Sequence, residues 1–521
     1  LMEKKENKKH SSHIEVLDGK LSIESYHNIV YKGASIEISE DALKRVDKAR
    51  KIIDQITSSN KVVYGINTGF GVLASKKIEA DQLRQLQYNL IRSHSVGFGD
   101  PAPYNIVRGT MVLRLNSMLA GNSGISRQTL LRLKDAINAN VYPFVPVKGS
   151  LGASGDLAPL AHIILALIGE GEFIEDGRRV NAKSYLEKKN LKPIELSSKE
   201  GLALINGTPY MSAWYLHNIF EAEKLQFWAD FCGGFSIENL NGTLTPFKPE
   251  IQNVRPHRGQ IDVAKRILGW FSESRRIESH KSCSKVQDAY ALRCIPQVHG
   301  AVLNAIYDCI EMIKVEMNSV TDNPLIFGLD KIYSQGNFHG EILALYADFL
   351  SIAISELASI SERRIERLLN PALSGLPGFL VNDAGLNSGL MITQYTAASL
   401  VSYNKTLAHP ASVDSIPVSA NQEDHVSMGA NAVIKCNEII KNTCGVIAIE
   451  LLSNLFAQQF YSEDYSLIST FISDNFKEML NLKYDDHPYY KDIEKIIEIM
   501  NDDEFFQKLK EKFDDISITK K

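Results

Sequence analysis

The 521-residue chain predicts a mainly α fold: a large bundle of long central helices, with a smaller N-terminal, α-rich part that contains short strands. Three observations predict it. Between Gly201 and Phe456 apolar residues recur at three and four. The clearest run is Ile342, Leu345, Tyr346, Phe349, Ala353, Leu357 and Ile360, and its middle is apolar nearly all round, as a helix deep inside a bundle is. Four further stretches keep this period, Tyr210–Phe231, Gln297–Met317, Ser388–His409 and Met428–Phe456, and Gly/Pro/Asn-rich loops such as "SGLPGFLVNDAGLNSG" separate them. Strand-like pieces (Leu21–Ile23, Ser35–Ile38, Lys61–Tyr64) are short and fall early in the chain, between helical segments such as Asp41–Ile56.

In chain order, residues 1–13 ("LMEKKENKKHSSH") are polar and lysine-rich, lack the apolar stretch of a secretory signal, and read as a mobile tail. Residues 14–200 read as the N-terminal part and 201–470 as the central bundle. Residues 471–521 read as a C-terminal helical segment, in which "NDDEFFQKLKEKFDD" is a short amphipathic helix.

Apolar residues at 44% and charged residues at 23% are those of an ordinary globular protein. With 57 basic against 62 acidic side chains the formal charge is −5, which gives no basic footprint for nucleic acid and no attraction to an anionic membrane. A small molecule is the expected partner. No stretch approaches the roughly 20 apolar residues needed to cross a bilayer; even Leu160–Ile168 is soon followed by Glu170 and Glu172. The six cysteines include no C-x-x-C pair, which argues against a disulfide framework or zinc site and fits a reducing cytosol.

The chemistry-bearing motif is "KGSLGASGDLAPLAHIILALIGEGE", Lys148 to Glu172. Read alone, its Gly-Ala-Ser-Gly is a turn that starts a helix, with Ser154 or Asp156 as the cap. Other stretches far apart in sequence also combine polar donors with small residues at loop or helix-end positions: "VVYGINTGFG", "IRSHSVGFG", "LINGTPY", "VQDAYALRCIPQV", "GNFHGE" and "SANQEDHVSMG". "GINTGFGVLAS" is only superficially a nucleotide loop, because it lacks the third spaced glycine and the lysine.

Together these motifs, in this order over about residues 15–460, resemble the aromatic amino acid ammonia-lyase and aminomutase family, most closely its histidase branch. The resemblance implies the fumarase-like superfamily architecture, a homotetramer whose active sites combine loops from three chains, and an amino acid substrate. It also implies that Ala153-Ser154-Gly155 cyclises to 4-methylidene-imidazol-5-one. The Gly155 amide attacks the Ala153 carbonyl, two waters leave, and Ser154 becomes a methylidene. The residue types suit that chemistry, since Gly155 permits a sharp bend, Ala153 does not obstruct it, and Ser154 supplies the departing hydroxyl. No external cofactor is then needed.

The resemblance further implies that Tyr64 removes the β-proton, Tyr290 assists it, and Arg293 grips the substrate carboxylate. Asn206 and Gln287 would be polar residues of the pocket, and Phe338 would pack near the prosthetic ring. Arg293 and Tyr290, three apart, share a face if their stretch is helical. Ser93-His94 matches the histidase pattern, and Glu423 is the stronger sign of substrate. A carboxylate can accept from an imidazole N–H, but against a benzene ring it is buried without a partner. Taken singly, each residue has a plainer reading: Tyr64 a packed strand-end tyrosine, Tyr290 an interfacial one, Arg293 a structural ion pair, Asn206 an Asn-Gly turn, Phe338 core.

His162, His299, His339, His409 and His425 form no compact ligand pattern in sequence, and no catalytic metal is expected. The function expected is deamination of histidine. A tyrosine ammonia-lyase, an aromatic aminomutase with the same electrophile, and an inactive helical scaffold are the alternatives.

Overall fold

The computed structural model describes residues 13–59, 62–69, 78–280 and 285–513. Helix dominates them, and the strands form only small two-stranded pairs. The expected tail over 1–12, the "FGVLASKK" stretch at 70–77, and Lys61 of the third strand-like piece lie outside the described residues. The chain divides into two compact units, one of residues 1–217, 311–347 and 410–434, the other of residues 218–310, 348–409 and 435–521.

In the first unit Ile14–Leu17 pairs in parallel with Ser35–Ile38, and three further pairs are antiparallel: Phe98–Pro101 with Pro146–Lys148, Glu172–Glu175 with Arg178–Asn181, and Leu325–Gly328 with Lys331–Tyr333. Leu21–Ile23, expected as strand, is instead the entry to the helix Ile23–Val30. Ser22 is the reason, since its side chain accepts from the Ser25 amide and caps the helix start. Ser39 and Ser126 cap Glu40–Thr57 and Arg127–Asn138 in the same way. The described part of the third piece, Val62 to Tyr64, leads into a turn rather than a strand.

The unit's central helix, Tyr104–Leu119, is buried at every residue from Ile106 to Leu119. Three of its polar side chains donate to carbonyls of neighbouring elements. Arg108 donates to Ile29 and Ile137, Arg114 to Asn206, and Asn116 to Met317. A buried guanidinium with carbonyl partners is tolerated where an unpartnered one is not.

Long helices make up most of the second unit, and four of them begin or end among the first unit's residues. Ile295–Glu316, Glu341–Leu369, Met391–Leu407 and Gly429–Gln458 reproduce the periodic stretches of the sequence to within a few residues at most ends, and Pro209–Asn239 outlasts the predicted Tyr210–Phe231. Asp503–Phe513 is the expected C-terminal amphipathic helix. An aromatic cluster of Phe227, Trp228, Phe231, Trp270 and Phe271 fills part of the core. Buried ion pairs fix the helices' register: Arg364 grips Glu450 through Nε and Nη2 at 2.5 and 2.9 Å, while Asp230 takes both Arg266 and His299.

Two of these helices, Glu341–Leu369 and Gly429–Gln458, are long and apolar enough by length and composition to cross a membrane, which corrects the expectation that no stretch comes close. The reason lies in the bundle. For Gly429–Gln458, a helix packed on most sides needs apolar residues all round, and 83% of its apolar window is buried inside the protein. Glu341–Leu369, expected deep inside the bundle, is instead 56% buried over its window, with Ile342, Leu345, Phe349 and Ile352 about half exposed along one side. The five cysteines among the described residues are free thiols.

Candidate active site

The strand Pro146–Lys148 runs into a tight turn that ends at the helix Leu157–Leu167, and Ala153-Ser154-Gly155 lies in that turn. Gly155 has φ +75°, and a Cβ there would stand 2.1 Å from the Gly207 carbonyl oxygen. Only glycine fits. The two glycine backbones pair across this contact, with the Asp156 amide donating to the Gly207 oxygen at 2.7 Å. Asn206, the residue before, donates from Nδ2 to the Ser154 carbonyl at 2.7 Å and accepts the Asn323 amide on Oδ1 at 2.7 Å. Both ends of its amide are engaged, so the Ser154 carbonyl is held rigidly.

Asp156 does not cap its own helix through its side chain, as the sequence led us to expect. Its carboxylate accepts instead from the Tyr210 and Met211 amides, at 3.0 and 2.9 Å, in the first turn of Pro209–Asn239, and from Ser150 Oγ at 3.0 Å. Burial pushes this carboxyl up to about 7, against the three hydrogen bonds that favour its ionised form. A third helix start, that of Glu341–Leu369, reaches the same turn through the Gly340 amide, which donates to the Gly152 carbonyl at 3.3 Å. Helix N-termini carry positive potential, so the turn sits where developing negative charge is stabilised.

Glu423 reaches the turn from a distant segment. Its Oε1 accepts from Ser154 Oγ at 3.1 Å. Its segment is tied down on either side, by the bridge Val418↔Glu423 and by the Met428 amide donating to the Leu151 carbonyl at 2.8 Å. Half-buried His94, at the end of the helix Leu83–His94, contacts Ser93 Oγ through Nδ1 at 3.0 Å. Burial pushes its imidazole below the ordinary value, opposed by a backbone bond at Leu90 and by the charge of Glu423.

Tyr64 is half-buried on a turn held by Val63 N donating to Asn67 Oδ1 at 2.8 Å. A Cβ on the adjacent Gly65 would stand 2.9 Å from Leu202 Cδ2, so this turn packs on the helix Glu200–Ile205 that ends at Asn206. Phe338 is half-buried beside His339, whose Nε2 contacts the His425 carbonyl at 3.2 Å. One unit thus brings the tripeptide, Asn206 and Glu423 into direct contact, and carries Tyr64, Ser93, His94 and Phe338 on elements packed around or tied to them.

Gln287, Tyr290 and Arg293 belong to the other unit, where Tyr290 and Arg293 pair. Tyr290–Arg293 is a single helical turn, which meets the condition for the two to share a face, with the Arg293 guanidinium 4.5 Å from the centre of the Tyr290 ring. Gln287 is exposed, Tyr290 is 70% exposed, and Arg293 Nε is buried without a hydrogen-bond partner.

Residues 21–479 match the family model "Aromatic amino acid lyase". The chain belongs to that family. Among relatives, the histidine ammonia-lyase of Alkaliphilus oremlandii is 50% identical over 454 residues, 87% of this chain and 89% of that one. The histidine ammonia-lyase of Halalkalibacterium halodurans is 45% identical over 505 residues, 96% and 99% of the two chains. Among solved structures, histidine ammonia-lyase from Trypanosoma cruzi superposes with a TM-score of 0.88 at 40% identity, covering 96% of this chain and 95% of that one. Tyrosine aminomutase from Streptomyces globisporus gives 0.91 at 33%, with 96% and 99% covered.

For an aromatic amino acid lyase the site holds further residues that the sequence reading missed. Asp156 figured there only as a cap. Arg114 donates from Nη1 to the Asn206 carbonyl at 2.7 Å, and Asp322 beside it pairs with Lys199 at 2.8 Å, all three buried. This charged cluster sits directly behind the amide that holds Ser154. Charged residues within otherwise apolar or loop sequence were the only available signal, and without partners in view they could not be matched.

Proposed function

We propose that this aromatic amino acid lyase removes ammonia from L-histidine without oxidation, giving trans-urocanate, in the cytosol, on an electrophile formed from its own Ala153-Ser154-Gly155. Glu423 carries the reading. A carboxylate 3.1 Å from the Ser154 hydroxyl can accept from an imidazole N–H, whereas a benzene ring would leave it buried and unpaired. The names of the relatives at 45–51% identity support the same substrate.

The tripeptide fits the group its family implies, because Gly155 is already bent against Gly207 where no Cβ could stand and Asn206 already holds the Ser154 carbonyl. Once formed, 4-methylidene-imidazol-5-one supplies an electron sink for the departing amine. The chain's own side chains do the rest. Tyr64 takes the β-proton, helped by the positive potential of the helix starts around the turn. Arg293 offers the planar fork that suits a carboxylate, and Tyr290 stands beneath it. Gln287 and Asn206 orient the substrate, and Ser93 with His94 lines the ring side.

The proposal includes a homotetramer that shares its sites between chains. A stripe of Ile342, Leu345, Phe349 and Ile352, each about half exposed along one helix, supports an assembled state, as do the exposed Gln287 and Tyr290. The test is to supply L-histidine, L-tyrosine and L-phenylalanine in parallel and follow the ultraviolet absorbance of the conjugated acrylate. Product from histidine alone supports the proposal. Product from tyrosine would refute the reading of Glu423, and a β-amino acid among the products would make the chain an aminomutase.

A further inference from the structure

The sequence has no H-E-x-x-H or similar ligand spacing, yet the fold assembles a ligand set from two segments. The first is the loop Gly336–Gly340 with the opening residue of the helix Glu341–Leu369; the second contains Glu423 and continues to Met428. His339, Glu341 and His425 each offer one ligand atom, and the three atoms lie within 4.8 Å of one another. The two imidazole rings are 5.6 Å apart, centre to centre.

Two details point to a cation. His339 Nε2 lies 3.2 Å from the His425 carbonyl, to which only an N–H can donate, so Nδ1 keeps its lone pair. Its present contact there is a long one, 3.3 Å from the Glu341 amide. Metal-bound histidines are commonly oriented in this manner, by giving the other ring N–H to a carbonyl. The second detail is Glu341 Oε2, which is buried with no hydrogen-bond partner. An unpaired carboxylate oxygen is costly, and a cation between it and the two imidazoles would remove the cost. His425 is exposed and provides the way in.

We propose that His339, Glu341 and His425 form a binding site for a zinc-like divalent transition ion, with water completing the coordination. Two imidazoles and one carboxylate suit such ions and do not suit magnesium or calcium, which take oxygen ligands. The bound ion would clamp together the segments that carry Phe338 and Glu423. The site follows from these three side chains alone and stands independently of the substrate proposed above.

The experiment is a zinc titration of the metal-stripped full chain in competition with a chromophoric chelator. We expect one equivalent per chain that magnesium does not displace. His425→Ala and Glu341→Gln should each weaken it by about 100-fold, the upper end of what even an outer partner costs. His425→Cys, which exchanges one zinc ligand for another, should regain it. His487→Ala, which alters a histidine paired with Asp492, should leave it unchanged. Zinc should also raise the thermal midpoint of the unaltered chain and not that of His425→Ala. Absence of the equivalent in the unaltered chain, or its survival in both His425→Ala and Glu341→Gln, would overturn the proposal.

Discussion

Replacing Asp156 by asparagine should remove the pH dependence that this residue gives to stability. Burial moves its carboxyl from 3.8 to about 7 in the folded chain. Between those values the folded chain keeps a proton that the unfolded chain has released. The contribution to stability is therefore complete below about pH 4 and is lost as pH rises through about 7. Each pH unit in that window is worth about 1.4 kcal/mol, so the whole passage is worth about 4 kcal/mol. The substituted asparagine would keep an oxygen for the Tyr210 and Met211 amides and could not ionise. Relative to the unaltered chain, Asp156→Asn should gain about 4 kcal/mol between about pH 4 and pH 8. Asp156→Ala orphans two buried amides at about 1–3 kcal/mol each, a loss of roughly 2–6 kcal/mol from this cause at all pH values. Urea unfolding of the three proteins across this range measures both effects. Parallel profiles for the aspartate and asparagine forms, or a relative gain by aspartate as pH rises, would show that burial does not raise the Asp156 carboxyl.

Four further outcomes follow from the same geometry. Glu423→Gln removes a charged acceptor worth about 1.5–3 kcal/mol, so kcat/KM for histidine should fall by about 10- to 100-fold while helix content is unchanged. Asn206→Ala frees the Ser154 carbonyl and leaves the buried Asn323 amide unpaired; it should lower both the yield of processed tripeptide and the thermal midpoint. Gly155→Ala drives a Cβ into the Gly207 carbonyl, and peptide masses from it should show the tripeptide intact. Asp322→Ala strands Lys199 and Arg114 in the core and should cost about 3–5 kcal/mol in chemical denaturation.

The apolar period made most of the fold legible, and the helix caps did not. The long helices carry their apolar spacing in the sequence, and the helical turn Tyr290–Arg293 supplies the condition under which Tyr290 and Arg293 share a face. Leu21–Ile23 reads as strand because three residues with two apolar positions look like one, while the decisive signal, Ser22 capping onto the Ser25 amide, depends on one hydrogen bond. Motif order singled out the tripeptide, Asn206 and Glu423, which the fold brings into contact, but the other partners of that turn were not legible. Asp156 is adjacent to the helix it was expected to cap and serves another helix some fifty residues on, because Gly155 and Gly207 bring the two starts together. The His339, Glu341 and His425 cluster was invisible for the same reason, since its two segments are joined only by tertiary contacts. The two long apolar helices were passed over in the sequence as stretches of membrane length, and length and composition alone do not tell such a helix from one packed in a protein.

The most direct test of the central claim is the mass of the proteolytic peptide that spans Ser154. The unaltered chain should yield a peptide lighter by two waters, and Ser154→Ala a full-mass peptide together with loss of histidine deamination. A full-mass peptide from an unaltered chain that still deaminates histidine would contradict the claim.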